Sequence, residues 1–297
     1  MNNEYLRLVY PQWQGGWPGN ITACLNNQFS VQDATQGYYF GSQILNLIAP
    51  QTKGETAIVP INFEFTEESL KTEKFIYARK TIINHLQSAR SILEEKNPSK
   101  VIVLGGECSV SVMPFSYMMK KYENDVAMVW IDAHPDLIRP GEGDESRRGF
   151  HEMPIPHLMG LGDEEIDKML PGKIDPSKII YVGLRVIGDI EKKRISELGM
   201  KVISPNDFRA HPEKLNEWLK STGCKKTVIH LDLDVLEPEE LYCAVGREPN
   251  GMKIDEVVDS ICRVNQETET VALTVTEHMP IIQIKLRNML RRFPMFQ

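Results

Sequence analysis

Val126-Ala127-Met128-Val129-Trp130-Ile131-Asp132-Ala133-His134-Pro135-Asp136 is the stretch on which the fold turns. Its first six residues are apolar and read as a buried strand. Just past that strand come Asp132, His134 and Asp136, at alternate positions. Alternate side chains of an extended segment share a face. Two carboxylates and an imidazole on one face are costly to bury without a cation or another charge partner. A second segment, Val228-Ile229-His230-Leu231-Asp232-Leu233-Asp234, repeats the pattern, with Asp232 and Asp234 alternating at the end of an apolar run. Four carboxylates and one histidine on two strand ends are enough to hold divalent metal ions.

Outward from these segments, apolar β-branched runs alternate with longer stretches of helical period. Strands are predicted over residues 6–10, 56–60, 100–104, 126–131, 178–183, 201–203, 227–233 and 271–276. Helices are predicted over 75–95, 109–122, 190–198, part of 206–221, 254–264 and 281–291, with Pro114 restricting the second to a late start or a kink. The rhythm predicts an α/β fold, a single domain over residues 1–297 with a mainly parallel sheet and helices on both faces. Two stretches, 137–161 and 237–253, are irregular, and each follows a carboxylate cluster. Ligands of open α/β sheets bind outside the carboxyl ends of the strands, so these loops are expected to wall a pocket.

Composition narrows the function classes. The chain is 41% hydrophobic and 25% charged, ordinary for a globular protein. A net charge of −7 argues against a nucleic-acid surface. No stretch approaches the length of a membrane span, and Met1-Asn2-Asn3-Glu4 lacks the pattern of a signal peptide. Cys24, Cys108, Cys224, Cys243 and Cys262 are odd in number and form no CxxC pair, so reduced thiols and a cytoplasmic location are expected.

Oxygen ligands with a minority of imidazole suit Mn²⁺, Mg²⁺ or Fe²⁺ better than a structural zinc. Two carboxylate-rich strand ends can hold a pair of ions about 3.5–4 Å apart that activate a water, which favours hydrolysis. The competing reading, solvated loop acids or helix caps, accounts for one such cluster better than for two.

Asp132-Ala133-His134-Pro135-Asp136 matches the DAHxD motif of the ureohydrolase superfamily, which includes arginase, agmatinase and formimidoylglutamase. Asp232-Leu233-Asp234-Val235-Leu236-Glu237-Pro238 resembles SxDxDxxDP, with His230 for Ser and Glu237 for the last Asp. Gly105-Gly106-Glu107-Cys108-Ser109 stands where the family has GGDHS, His151-Glu152-Met153-Pro154 resembles HGMP, and Glu277-His278-Met279-Pro280 resembles ExNP. The matches keep the family's order. The resemblance implies an arginase-like three-layer α/β/α fold, a cytoplasmic homo-oligomer and two Mn²⁺ per subunit. Asp132 and Asp232 would bridge the metals, His134 and Asp234 would complete one, and Asp136 and Cys108 the other. A metal-bridging hydroxide would attack the guanidinium or formimino carbon of a linear amidine. Asp136 would orient it, His151 would carry protons to the leaving amine, and Glu277 would pair with the substrate's cationic nitrogens.

Departures from the family open alternatives. Cys108 replaces a histidine. As a thiolate ligand it would shift preference toward Zn²⁺ or Fe²⁺; as a small buried residue it would leave one metal weak or absent. A catalytically degenerate chain that binds a ligand or partner is the second functional reading. Glu107 for Asp adds a methylene to a carboxylate expected to orient a ligand. His230 should share the face of Asp232, bonding a ligating carboxylate or filling the core rather than ligating directly. Arg147 and Arg148 could hold a substrate carboxylate, although such pairs are more often solvated. Residues 10–16, after the first strand, line the pocket, mediate a subunit contact or form an ordinary turn. Arginase's Asn- and Ser-rich selecting stretch is replaced by Glu142-Gly143-Asp144-Glu145-Ser146-Arg147-Arg148, which disfavours L-arginine and leaves agmatine, other guanidino compounds and formimino acids open.

Overall fold

The computed structural model describes residues 4–123, 125–144, 147–293 and 295. Its strands are β1 (Tyr5–Tyr10), β2 (Glu55–Ile58), β3 (Lys100–Gly105), β4 (Val126–Ile131), β5 (Ile179–Val182), β6 (Lys201–Ile203), β7 (Lys226–Asp232) and β8 (Glu269–Thr276). They form one eight-stranded sheet in the order β2-β1-β3-β8-β7-β4-β5-β6. Every pairing is parallel. Parallel neighbours need long crossovers, and the helices predicted from periodicity supply them.

The central strand β4 is covered on both sides, which is why it is continuously apolar. In β4, Val126, Met128 and Trp130 enter one core, while Ala127, Val129 and Ile131 enter the other. The first core takes Ile82, Leu86, Ala89 and Leu93 of helix Arg79–Lys96 and Phe115 of helix Val112–Lys121. The second takes Leu215 and Leu219 of helix Glu213–Thr222 and Val257 and Val264 of helix Ile254–Glu267. This is the expected α/β/α layering. Strands β8 and β7 are inserted between β3 and β4, so the chain jumps across them, and the carboxyl ends of these four strands meet at a crevice.

The structure departs from the sequence expectation at several helices. The helix expected from residue 75 starts at Arg79, because Lys74, Phe75 and Ala78 have φ of 46°, 65° and 52°. The segment with Pro114 begins as a 3-10 turn, Cys108–Ser111, and becomes α-helical at Val112, leaving Pro114 in the first turn where its missing N–H costs nothing. The single helix expected within 206–221 is two, Pro205–Ala210 and Glu213–Thr222, broken before Pro212. Helix Pro154–Met159 lies inside a stretch expected to be irregular, and helices Pro18–Cys24, Val31–Thr35, Gly37–Ile48 and Glu164–Met169 were not anticipated. Helix Gly37–Ile48 owes its place to close packing: a Cβ on Gly37 would overlap the Met279 sulfur, and one on Gly41 the His278 carbonyl. No helix among the described residues is long and apolar enough to cross a membrane.

Candidate metal centre

At the end of β4, Asp132 Oδ1 accepts the His134 amide at 2.7 Å; at the end of β7, Asp232 Oδ1 accepts the Asp234 amide at 2.7 Å. Each aspartate thus closes a small turn that fixes one carboxylate oxygen and aims the other inward. Two groups of donor atoms result. The outer one is His134, Asp132 and Asp234, with His134 Nδ1 at 3.0 Å from Asp234 Oδ2 and 3.7 Å from Asp132 Oδ1. It opens to a pocket, since the His134 side chain is 35% exposed. The inner one, fully buried, is Cys108, Asp132, His230 and Asp232. Cys108 Sγ lies 3.0 Å from Asp232 Oδ2, 3.6 Å from Glu277 Oε1 and 3.7 Å from Thr276 Oγ1.

Different elements supply the remaining positions. Cys108 is held by the turn after β3, which Glu107 caps by accepting the Ser109 amide and hydroxyl, both at 2.8 Å. Glu107 also accepts from Gln12 at 2.6 Å. It has no hydrogen bond to an expected ligand among the described residues; it shapes the turn instead. Glu277, just past β8, has φ 67°, and its carboxylate accepts the Cys108 amide at 3.1 Å and a hydrogen bond from Tyr38. Asp136 has φ 47°, and its buried Oδ2 has no hydrogen-bond partner among the described residues.

Burial dominates the electrostatics. It pushes Asp132 up to about 6, with Asp234 adding to the shift and His134 opposing it. Burial pushes Glu277 up to about 8, opposed by the Tyr38 hydroxyl and reinforced by Glu107 and Asp234. Asp136 and Asp232 are also raised well above the carboxylate range, burial again leading. His134 is raised too, but for a different reason: burial lowers it, and the pull of Asp234 and Asp132 more than offsets that. Buried carboxylates of this density, with one orphan oxygen and one imidazole beside them, fit divalent cations.

The pocket above these groups is about 260 Å³ and is lined by Cys108, His134, Asp136, Arg147, His151, Asp232, Asp234 and Glu277, so most of the predicted residues converge there; Asp132 does not line it. Arg148 does not line it; its guanidinium lies 5.8 Å from the Phe75 ring centroid. Arg147 lines it but is engaged by Glu152 at 2.5 Å and Glu191 at 3.1 Å. Glu145 and Ser146 of the same loop lie outside the described residues. His151 Nδ1 donates to the Gly15 carbonyl at 2.9 Å, which leaves Nε2 as the acceptor, 3.7 Å from Glu152 Oε1. Residues 10–16 therefore back the site from behind. A larger groove of about 610 Å³ lies at the amino ends of β3 and β8, away from these groups.

Sequence reasoning missed Tyr38 and an acidic wall of Glu152, Glu191 and Glu248. Only Glu152 carried a signal, standing where the HGMP motif has glycine. The others come from helices or loops with no motif.

A family model described as the Arginase family matches residues 58–289. The arginase of Coccidioides immitis is 30% identical over 211 residues, covering 66% of this chain and 65% of that protein. The arginase of Staphylococcus aureus strain MRSA252 is 27% identical over 186 residues, 61% of each chain. The matched region thus spans just under two thirds of those relatives. Among solved structures, the Entamoeba histolytica arginase in complex with L-ornithine superposes with TM-score 0.73 at 18% identity, over 98% of this chain and 96% of that one. The Bacillus subtilis formimidoylglutamase gives TM-score 0.61 at 15% identity, over 94% and 79%. At these identities the superpositions establish the shared fold.

Proposed function

Since the chain belongs to the arginase family, we propose that it is a metal-dependent hydrolase of a C–N bond in a linear amidine. The observation that carries this reading is the convergence of Asp132, His134, Asp136, Asp232, Asp234 and Glu277 at the carboxyl ends of β4, β7 and β8. His134, Asp132 and Asp234 would hold one Mn²⁺, and Cys108, Asp136 and Asp232 the other, with Asp132 and Asp232 shared. Such ions supply Lewis acidity, which raises the acidity of a water. Asp136 would orient the attacking oxygen and take its proton, through the oxygen that has no hydrogen-bond partner among the described residues. His151, with Nε2 free to exchange a proton, serves the leaving amine. Glu277 attracts the substrate's cationic nitrogens, and a cation beside it favours its charged form.

The pocket's charge bears on the substrate. Glu152, Glu191 and Glu248 line it, and Arg147 is spent on the first two, which supports a guanidino compound without a free carboxylate over L-arginine. Agmatine and other such amidines are the first compounds to test. Release of urea or ammonia from a panel of guanidino and formimino compounds by the Mn²⁺-loaded protein is the decisive assay. A second reading, a degenerate member that binds a ligand or partner without catalysis, is favoured by Cys108. Metal analysis separates the two: failure to bind any divalent ion at micromolar concentration would sink the hydrolase. We also propose a cytoplasmic location, supported by five unpaired cysteines, and homo-oligomers, supported by exposed Leu47, Ile48, Ile282 and Leu286, which light scattering checks.

A further inference from the structure

We propose that Cys108, His230 and Asp232, with Asp132 completing the set, bind one ion of the Zn²⁺ class in four-coordinate geometry, so that the two poles of the centre select different metals. The proposal rests on the chain being a metalloprotein, as argued above, and assigns His230 a direct ligand role that its sequence position did not suggest.

The four donor atoms lie within 4.8 Å of one another. A tetrahedral shell with bonds of about 2.0–2.3 Å sets its donors roughly 3.3–3.8 Å apart. Cys108 Sγ to Asp232 Oδ2 is 3.0 Å, and His230 Nε2 to Asp132 Oδ2 is 3.9 Å. Small rotations of side chains close such a shell without moving the strands.

The orientation of His230 is the independent observation. Its ring is fully buried and lies flat on Trp130, with centroids 3.6 Å apart and planes 6° apart. Nδ1 meets the Ser111 hydroxyl at 2.8 Å. Nε2 then faces Asp132 at 3.9 Å and, among the described residues, has only the Thr276 hydroxyl within hydrogen-bond reach, at 3.5 Å, the long limit. That hydroxyl donates to the Leu231 carbonyl at 3.3 Å. A ring held by a hydrogen bond on one nitrogen, with the other aimed at thiol and carboxylates, is how proteins fix a ligating imidazole.

The chemistry of the donors divides the poles. The inner set offers a thiol and an imidazole with two carboxylates; the outer set offers carboxylates and one imidazole. Sulfur and nitrogen favour Zn²⁺ over Mn²⁺, whereas oxygen-rich sets suit Mn²⁺. On binding, the Cys108 thiol proton, now directed at Asp232, leaves to water and the sulfur binds as thiolate.

X-ray absorption at the zinc edge, on the wild-type protein with one equivalent of Zn²⁺, tests this directly. The expected shell has one sulfur at about 2.3 Å and one imidazole. In His134→Ala the sulfur and the imidazole should both persist. In His230→Ser the imidazole should vanish and the affinity for the first equivalent should fall more than about 100-fold, beyond the range for losing an outer hydrogen-bond partner. Ser111→Ala should cost only about tenfold. A shell without sulfur, sulfur without imidazole, or an imidazole lost in His134→Ala overturns the proposal. Should His230→Ser fail to fold, the wild-type and His134→Ala spectra decide. Zinc uptake with the wrong shell defeats this inference alone, while a chain that takes up no divalent ion defeats the earlier reading as well.

Discussion

The two poles of the centre share Asp132 but are built in different ways. The outer pole comes from two neighbouring strand ends, each with its own aspartate turn, so its geometry is set by a few consecutive residues. The inner pole gathers Cys108 from the turn after β3, His230 from within β7, Asp232 from the end of β7 and Thr276 from β8. Local spacing fixes the first; long-range packing fixes the second. A substitution far from the metals should therefore disturb the inner pole and spare the outer one.

The largest expected effect tests what the poles share. Asp132→Ala removes the charge that both use, Asp232→Ala the second carboxylate of the inner pole, and each should lower metal-dependent kcat/KM at least about 1000-fold, the equivalent of several kcal/mol of charge stabilisation. Full activity in either variant would refute the site. Glu277→Gln leaves both metal sets formally intact and should reduce kcat/KM for a cationic substrate by about 10- to 100-fold, the worth of a charged hydrogen bond. Equal rates for the variant and wild type would detach Glu277 from substrate binding.

Acid provides a contrast with the wall around the poles. His157 accepts the Asp163 amide at 3.0 Å and donates to the Met153 carbonyl at 2.8 Å, securing the loop that carries His151. Burial lowers its pKa to about 4, so the fold holds it neutral. Its contribution is complete above about pH 6.5 and is lost as pH falls from there toward 4, by up to about 3 kcal/mol. Denaturant titrations of His157→Gln should show a flatter stability profile over that window; an unchanged slope would remove His157 as its source.

The smaller effects fall on the inner pole. A Cβ on Gly15 would overlap the Glu107 carboxylate, so Gly15→Ala should displace the cap of the Cys108 turn and cost about 1–3 kcal/mol. Isothermal titration should find the zinc-type site weakened and the Mn²⁺-type site unchanged; equal losses at both would erase the distinction. Cys108→His should strengthen Mn²⁺ binding at the inner pole about tenfold, a change of the size ligand-shell alterations give. Unaltered affinity would place Cys108 outside the ligand set.

The same contrast explains what could be read from the chain. Strand β4 and the residues of the outer pole were legible, because burial on both faces forces continuous apolar runs and the strand period of two puts alternate acids together. Cys108 was legible by position, and His230 by face, but not which way its ring nitrogens point, since that depends on Ser111 and Trp130. Helix Gly37–Ile48 was hidden because glycines and an uncapped start speak against a helix, and only the fit of Gly37 and Gly41 against residues 278–279 makes it form. The acidic wall was hidden for a similar reason: Glu191 and Glu248 come to line one pocket only after the sheet is assembled.

Trp130 has a further consequence. Its indole lies on the His230 ring and its N–H donates to Asp132 at 2.9 Å, so one chromophore touches both poles. Of the four tryptophans in the chain, Trp130 alone makes that double contact among the described residues. Its emission is a built-in optical gauge of metal loading, readable during a titration without label, substrate or turnover.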